Sequence, residues 1–292
     1  MYPAPIDHYH RPTTRAEALS ILGQYDPGDA VFFAGGQSIM QAMKSRILQP
    51  QAIIDLQAVD DMRGISASGD HIVVGAMTRY VEISASAELA LQFSALCDAA
   101  AHVGDRQVRN RGTIGGSLCW NYVASCSPAA ALGLGCEISL TRSDGTERSV
   151  AIDDFLLGPL ETARGDDELM TQVSFRRSTG RAGSAYKKWG LVRDALPVVG
   201  VCVAVELDNK GNCQTARLSL SGMAAGATRV PDGESALVGS GGAPDELDAI
   251  FAEIAEGVDT HSDASADANY RRQLIRSIGA EVAGLAFTRA LA

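Results

Sequence analysis

The sequence predicts an α+β protein of two domains, and three observations carry that expectation. The chain has 292 residues, enough for two separate cores. Its N-terminal part runs strand, glycine turn, helix, and a second glycine turn follows further along. Its C-terminal part sets three strand-like runs ahead of two helices, without the regular alternation of a parallel α/β fold. The boundary is expected in the polar stretch Arg177 to Gly183, dividing residues 1–177 from 178–292.

The elements follow in order. His8-Tyr9-His10 is extended. Thr14 with Glu17 reads as a capping box opening a helix, with Ala16, Leu19, Ile21 and Leu22 as its apolar stripe. Gly23 and Asp26-Pro27-Gly28 end it. Val31-Phe32-Phe33 is a short strand, and Ser38 opens a helix through Arg46 with Ile39, Met43 and Ile47 on one face. Ala52 to Leu56 and His71 to Gly75 read as strands; Thr78 to Ala85 and Ala87 to Val103 as helices. Pro128 to Leu134 is a small-residue helix, and Ser143-Asp144-Gly145 joins two strands as a hairpin. A loop from Gly158 to Asp167 precedes a strand from Leu169 to Arg176. Beyond the boundary come strands over Ser184 to Gly190, Val198 to Leu207 and Cys213 to Ser221, then helices over Pro244 to Glu256 and Ala266 to Leu291.

The glycine turns are Ala34-Gly35-Gly36-Gln37-Ser38 and Thr113-Ile114-Gly115-Gly116-Ser117. Paired glycines lack Cβ, so the backbone can take φ > 0 and bring its N–H groups close to an anion. Two such turns brought together would clasp a diphosphate, with Ser38 and either Thr113 or Ser117 adding hydroxyl donors. The ligand this suggests is the pyrophosphate of a flavin dinucleotide. No G-x-G-x-x-G follows a strand, so this is not a Rossmann site.

Composition removes other classes. A net charge of −10 argues against a nucleic-acid partner. No apolar run is long enough for a membrane span, and the N-terminus lacks a signal-peptide pattern, so the expected location is the cytoplasm. Six cysteines are present without a C-x-x-C pair or a ferredoxin-type run, which argues against a zinc or iron–sulfur site and for small buried residues. The five histidines show no metal spacing.

Taken together, Tyr2-Pro3-Ala4-Pro5, His10-Arg11-Pro12-Thr13, both glycine turns with the Arg109-Asn110-Arg111-Gly112 lead, Phe155-Leu156-Leu157-Gly158-Pro159 and Tyr186-Lys187-Lys188 resemble the flavoprotein (medium) subunit of the molybdenum hydroxylases, most closely the carbon monoxide dehydrogenase medium-subunit type, which is also similar to the FAD domain of xanthine dehydrogenase. The resemblance implies an FAD-binding domain of the vanillyl-alcohol oxidase (PCMH) type followed by a smaller α/β sandwich. It implies FAD in this chain, molybdopterin in a large partner subunit and two [2Fe–2S] clusters in a small one, assembled as a dimer of heterotrimers. Electrons would pass from the clusters to the FAD and on to an external acceptor, with no acid–base dyad or nucleophile here.

The resemblance also places Tyr186 and Lys187 near the flavin ring and Cys126 near its ribose. Where the family reads Ala-Asp-Pro-Ala-Ser/Ala-Asp, this chain has Asn121-Tyr122-Val123-Ala124-Ser125-Cys126, so Tyr122 and Cys126 stand in place of acids. A thiol accepts a hydrogen bond from a sugar hydroxyl poorly. Arg109 and Arg111 read either as a solvated basic loop or as neutralising charges. Trp120 and Tyr122 either pack in the core or cover the cofactor. Two rival functions remain: a self-contained FAD oxidoreductase, and a scaffold subunit with a vestigial nucleotide site.

Overall fold

The computed structural model describes residues 5–292. Tyr2, Pro3 and Ala4 of the N-terminal motif lie outside the described residues.

Three sheets organise the chain. The first is parallel, with His8–His10, Ala52–Asp55 and Ala30–Phe33 in that spatial order. The second is antiparallel and five-stranded, in the order Ile65–Ser68, His71–Gly75, Glu168–Arg176, Glu137–Arg142, Glu147–Ala151. The third is an antiparallel meander of Arg181–Trp189, Val199–Leu207, Cys213–Met223 and Gly226–Arg229. The first two sheets share one core with the intervening helices, and the third builds a core of its own.

That third sheet is buried on both faces, and its alternation shows why. Val199, Val201, Val203 and Val205 face the helices Pro244–Gly257 and Ala268–Leu291. Residues of opposite parity face the first core: Tyr186 and Cys202 pack there, and Cys202 adjoins the carbonyl of Ala130 in the helix Cys126–Leu134. Gly133 in that helix is needed for the approach, since a Cβ would lie 2.6 Å from Ser219 Oγ.

The α+β expectation holds, with local differences. Thr14 caps the helix Arg15–Leu22, but the Glu17 carboxylate accepts from Thr13 N–H instead of Thr14. The helix after the first glycine turn is only Ile39–Lys44, and Ile47 is exposed rather than part of its apolar face. The helix expected over Ala87 to Val103 is two, Ala87–Gln92 and Ser94–His102. Phe93 leaves the helical region between them as its ring packs 5.3 Å from that of Phe175. The loop from Gly158 to Asp167 contains a short strand pair with Leu156–Gly158 against Glu161–Thr162. The strands Ile65–Ser68 and Gly226–Arg229 and the helix Pro231–Leu237 were not expected. All six cysteines are free thiols. Among the described residues no helix is long and apolar enough to cross a membrane.

Candidate cofactor-binding cleft

The two glycine turns meet. A Cβ on Gly35 would lie 2.1 Å from the Arg111 carbonyl oxygen and 2.8 Å from Gly112 Cα, so the turns touch backbone to backbone. Gly116 faces the first turn from the other side, its hypothetical Cβ lying 3.5 Å from that of Ala34. Between and beside them opens a cleft of about 720 Å³. That is within the ~300–1,000 Å³ range of small-molecule sites.

The turns do different work. Gly36 sits at φ 75, a conformation that favours glycine. Among the described residues, the amides of Gly35, Gly36, Gln37 and Ser38 find no acceptor in the protein. They form a concave run of open donors, suited to an anion. The second motif is not a turn with φ > 0 but the first turn of the helix Ile114–Trp120. Its amides are already engaged: Ile114 to Thr78, Gly115 to Ala76, Ser117 to the Thr113 carbonyl, and Gly116 to Thr113 Oγ1 at 3.2 Å. Gly115 and Gly116 lack side chains because of close approach, Gly115 to Ala76 and Gly116 to its own cap. The second motif therefore shapes the cleft wall and offers Ser117.

Of the residues singled out from sequence, Ala34, Gly35, Gly36, Gln37, Ser38, Thr113, Gly115, Gly116, Ser117 and Cys126 line the cleft. Ile114 is in the core behind it. Tyr186 is buried behind the cleft wall, its hydroxyl 3.3 Å from Ser221 Oγ and beside the Cys126 thiol. Lys187 points away, its Nζ paired with the Glu281 carboxylate at 2.6 Å on the outer helix. Strand alternation sends the next residue inward, and Lys188 is the lysine that reaches the cleft. Its ammonium is mostly buried and donates to the Ala195 carbonyl. Burial lowers its pKa, while the Cys126 and Asp194 side chains oppose that. Burial pushes the Cys126 thiol up and Tyr186 well up, so both are neutral at ordinary pH.

Among the cleft-lining residues that sequence reasoning missed are Leu160, then Arg164, Asp166 and Asp167, and the run Asp194 to Pro197. Trp120 lines it; Tyr122 is partly exposed outside it. Arg109 is structural, binding the Val103 and Gly104 carbonyls, and His102 Nδ1 donates to the Asp98 carbonyl within its own helix. These residues fit a flavin dinucleotide: open amides and a hydroxyl for a diphosphate, a buried cation, and a largely apolar wall.

Residues 4–175 match a family described as the FAD binding domain in molybdopterin dehydrogenase. The chain belongs to that family. Residues 184–283 match the CO dehydrogenase flavoprotein C-terminal domain. The chain is 31% identical to the carbon monoxide dehydrogenase medium chain of Hydrogenophaga pseudoflava, across 91% of this chain and 92% of that one. It is 28% identical to the nicotine 6-hydroxylase medium subunit of Paenarthrobacter nicotinovorans, across 94% and 95%. Its fold superposes on carbon monoxide dehydrogenase from Hydrogenophaga pseudoflava with a TM-score of 0.91 at 30% identity, covering 99% of both chains. Quinoline 2-oxidoreductase from Pseudomonas putida 86 superposes equally well, TM-score 0.91 at 25% identity over the whole of both chains. As a member, the chain is the flavoprotein component of an oxidoreductase, and its N-terminal domain is an FAD-binding domain.

Proposed function

We propose that this chain is the FAD-carrying electron-transfer subunit of a heteromeric molybdenum hydroxylase. It would take electrons from [2Fe–2S] clusters of a small partner, downstream of a large molybdopterin partner, and release them to an external acceptor. The observation that carries this reading is the run of open amides at Gly35 to Ser38, closed against the second glycine motif in one cleft. The relatives' names, medium chain and medium subunit, support a place among several subunits. A soluble dimer of heterotrimers in the cytoplasm, and a domain boundary at 177/178 between the second and third sheets, complete the proposal.

When bound, the flavin supplies the exchange between one-electron and two-electron carriers. The chain's own residues bind and orient it. The amides of the first turn hold the diphosphate. Thr113 fixes the second motif against them through its cap bond to Gly116. Lys188 places a cation on the cleft wall, where it favours an anionic form of the ligand. Cys126 and Tyr186 keep that wall neutral and release no proton at pH 7.

The test is to purify the chain and its complex, record the visible spectrum and titrate FAD. Stoichiometric FAD, reducible through the partners but not by a small organic substrate added to the chain alone, is expected. A chain that stays colourless after reconstitution refutes the reading. Turnover of a small substrate by the isolated chain supports the self-contained oxidoreductase instead.

A further inference from the structure

The helix Ile114–Trp120 ends on Asn121, in the left-handed conformation at φ 39, ψ 52. Asn121 is 2% exposed. Its Nδ2 donates to the Gly158 carbonyl at 2.7 Å and to the Glu161 carbonyl at 3.0 Å. Its own carbonyl accepts from Leu160 N–H at 2.9 Å. One buried residue therefore holds both ends and the middle of the turn spanning residues 158–161. Its Oδ1 has no partner among the described residues, so all its side-chain bonding goes to this turn.

Leu160 in that turn has φ 62, where a leucine side chain crowds its own backbone. The same Leu160 is 58% exposed and lines the cleft. An apolar side chain is thus held in a strained conformation and left uncovered beside a ligand site. Strain of this kind persists only where the surroundings impose it, and it gathers at ligand sites.

We infer that Asn121 is a positioning residue that forces the 158–161 turn into the shape presenting Leu160 to the cofactor. This rests on the FAD reading of the cleft. An aliphatic side chain suits an aromatic ring of the dinucleotide, not its phosphates, so the contact is separate from that of the glycine turns. A C-cap in the left-handed region can be served by glycine as well as asparagine. What glycine cannot supply is the Nδ2 pair.

The test uses the full chain with FAD titrated by quenching of flavin fluorescence, and apo melting in parallel. Leu160→Asn removes the apolar contact while tolerating the left-handed backbone. It should weaken FAD binding about tenfold yet leave the apo Tm at or above wild type. Asn121→Gly keeps the cap and loses the clamp; it too should weaken binding about tenfold, and the double variant should be no weaker than the worse single. Asn121→Gly should also change the visible-region circular dichroism of bound FAD, which a residue with a purely structural role would leave alone. Variants that match wild-type affinity, or whose losses add, overturn the inference. If the wild-type chain itself takes no FAD, the cofactor reading falls and this inference with it. If wild type binds and the variants bind equally, the clamp alone is wrong.

Discussion

Gly35→Ala is the sharpest perturbation of the cleft. The new methyl would sit 2.1 Å from the Arg111 carbonyl oxygen and 2.8 Å from Gly112 Cα. Both are backbone atoms, so no rotamer change relieves the overlap. Ordinary contact needs ~3.5 Å, so the two motifs must separate by more than about 1 Å. Overpacking of this kind costs roughly 1–3 kcal/mol. At ~2–4 °C per kcal/mol for a chain of this size, Tm should fall by about 2–12 °C. Affinity should fall further, because the open amides no longer converge with the second wall. Hydrogen bonds to a charged group are worth ~1.5–3 kcal/mol each, so misplacing two of them weakens FAD binding by about a hundredfold or more. Gly257→Ala is the control. Nothing lies within 4 Å of a Cβ there, and it should melt and bind like wild type. The assays are differential scanning fluorimetry of the apo chain and FAD titration by fluorescence. A Gly35→Ala chain that melts with wild type and binds FAD as tightly refutes the idea that contact between the motifs builds the site.

Two further outcomes follow from single side chains. Lys188→Met should weaken FAD binding by about tenfold, a loss of the size expected for one charge-assisted contact, while Lys187→Met should leave it unchanged because that ammonium pairs with Glu281 outside the cleft. The reverse pattern, read by the same titration, would put the wrong lysine in the cleft. Glu168, buried beneath Arg148 at 2.7 Å, has its pKa held down from 4.5 to about 2, chiefly by that hydrogen bond. Its folded value is the lower one, so its stabilisation is complete above pH ~4.5 and is lost as pH falls toward ~2. Arg148 is 42% exposed on its side chain, so solvent screening reduces the contribution to about 1–2 kcal/mol. Glu168→Gln should flatten the acid limb of a Tm–pH curve; an unchanged acid limb would show that the pair contributes nothing there.

The reach of sequence reasoning follows from what each signal depends on. Strand Val199–Leu207 and helix Ala268–Leu291 were legible because apolar spacing and hairpin chemistry are local. The break at Phe93 was not, since it comes from Phe175, far along the chain. The glycine motifs were found as motifs, but their mechanisms differ. Gly36 uses its φ freedom, whereas Gly115 exists for Ala76, a neighbour known only once the chain has folded. Lys187 and Lys188 show the limit most plainly. A strand has period two, so an error of one residue sends a charge to the opposite face, and only the register against Val201 and Gly200 resolves it. Leu160 carried no signal, because its role depends on the turn that Asn121 clamps.

The cleft is walled from both sides of the proposed domain boundary, and this bears on what the cofactor does for the chain. The first turn and the second motif belong to the first core, whereas Lys188 and Asp194 to Pro197 come from the third sheet and its loop. That loop ends at Val198, whose carbonyl is held by the buried Arg271, which also binds the Gly222 carbonyl at 2.9 Å and Asp263 at 2.7 Å. Gly222 N–H in turn donates to Val123 at 3.0 Å, beside the cleft-lining Ala124. A ligand in the cleft therefore closes a loop of contacts that runs from Val198 through Arg271 to Gly222 and already joins the two cores at the Gly222–Val123 bond. Anything that binds only the assembled walls stabilises them jointly, by about 2.7 kcal/mol at a hundredfold excess over Kd. A buried guanidinium without partners would cost more than that. Its placement, bonded to carbonyls next to the cleft, makes the proposed domain boundary and the cleft one mechanical unit.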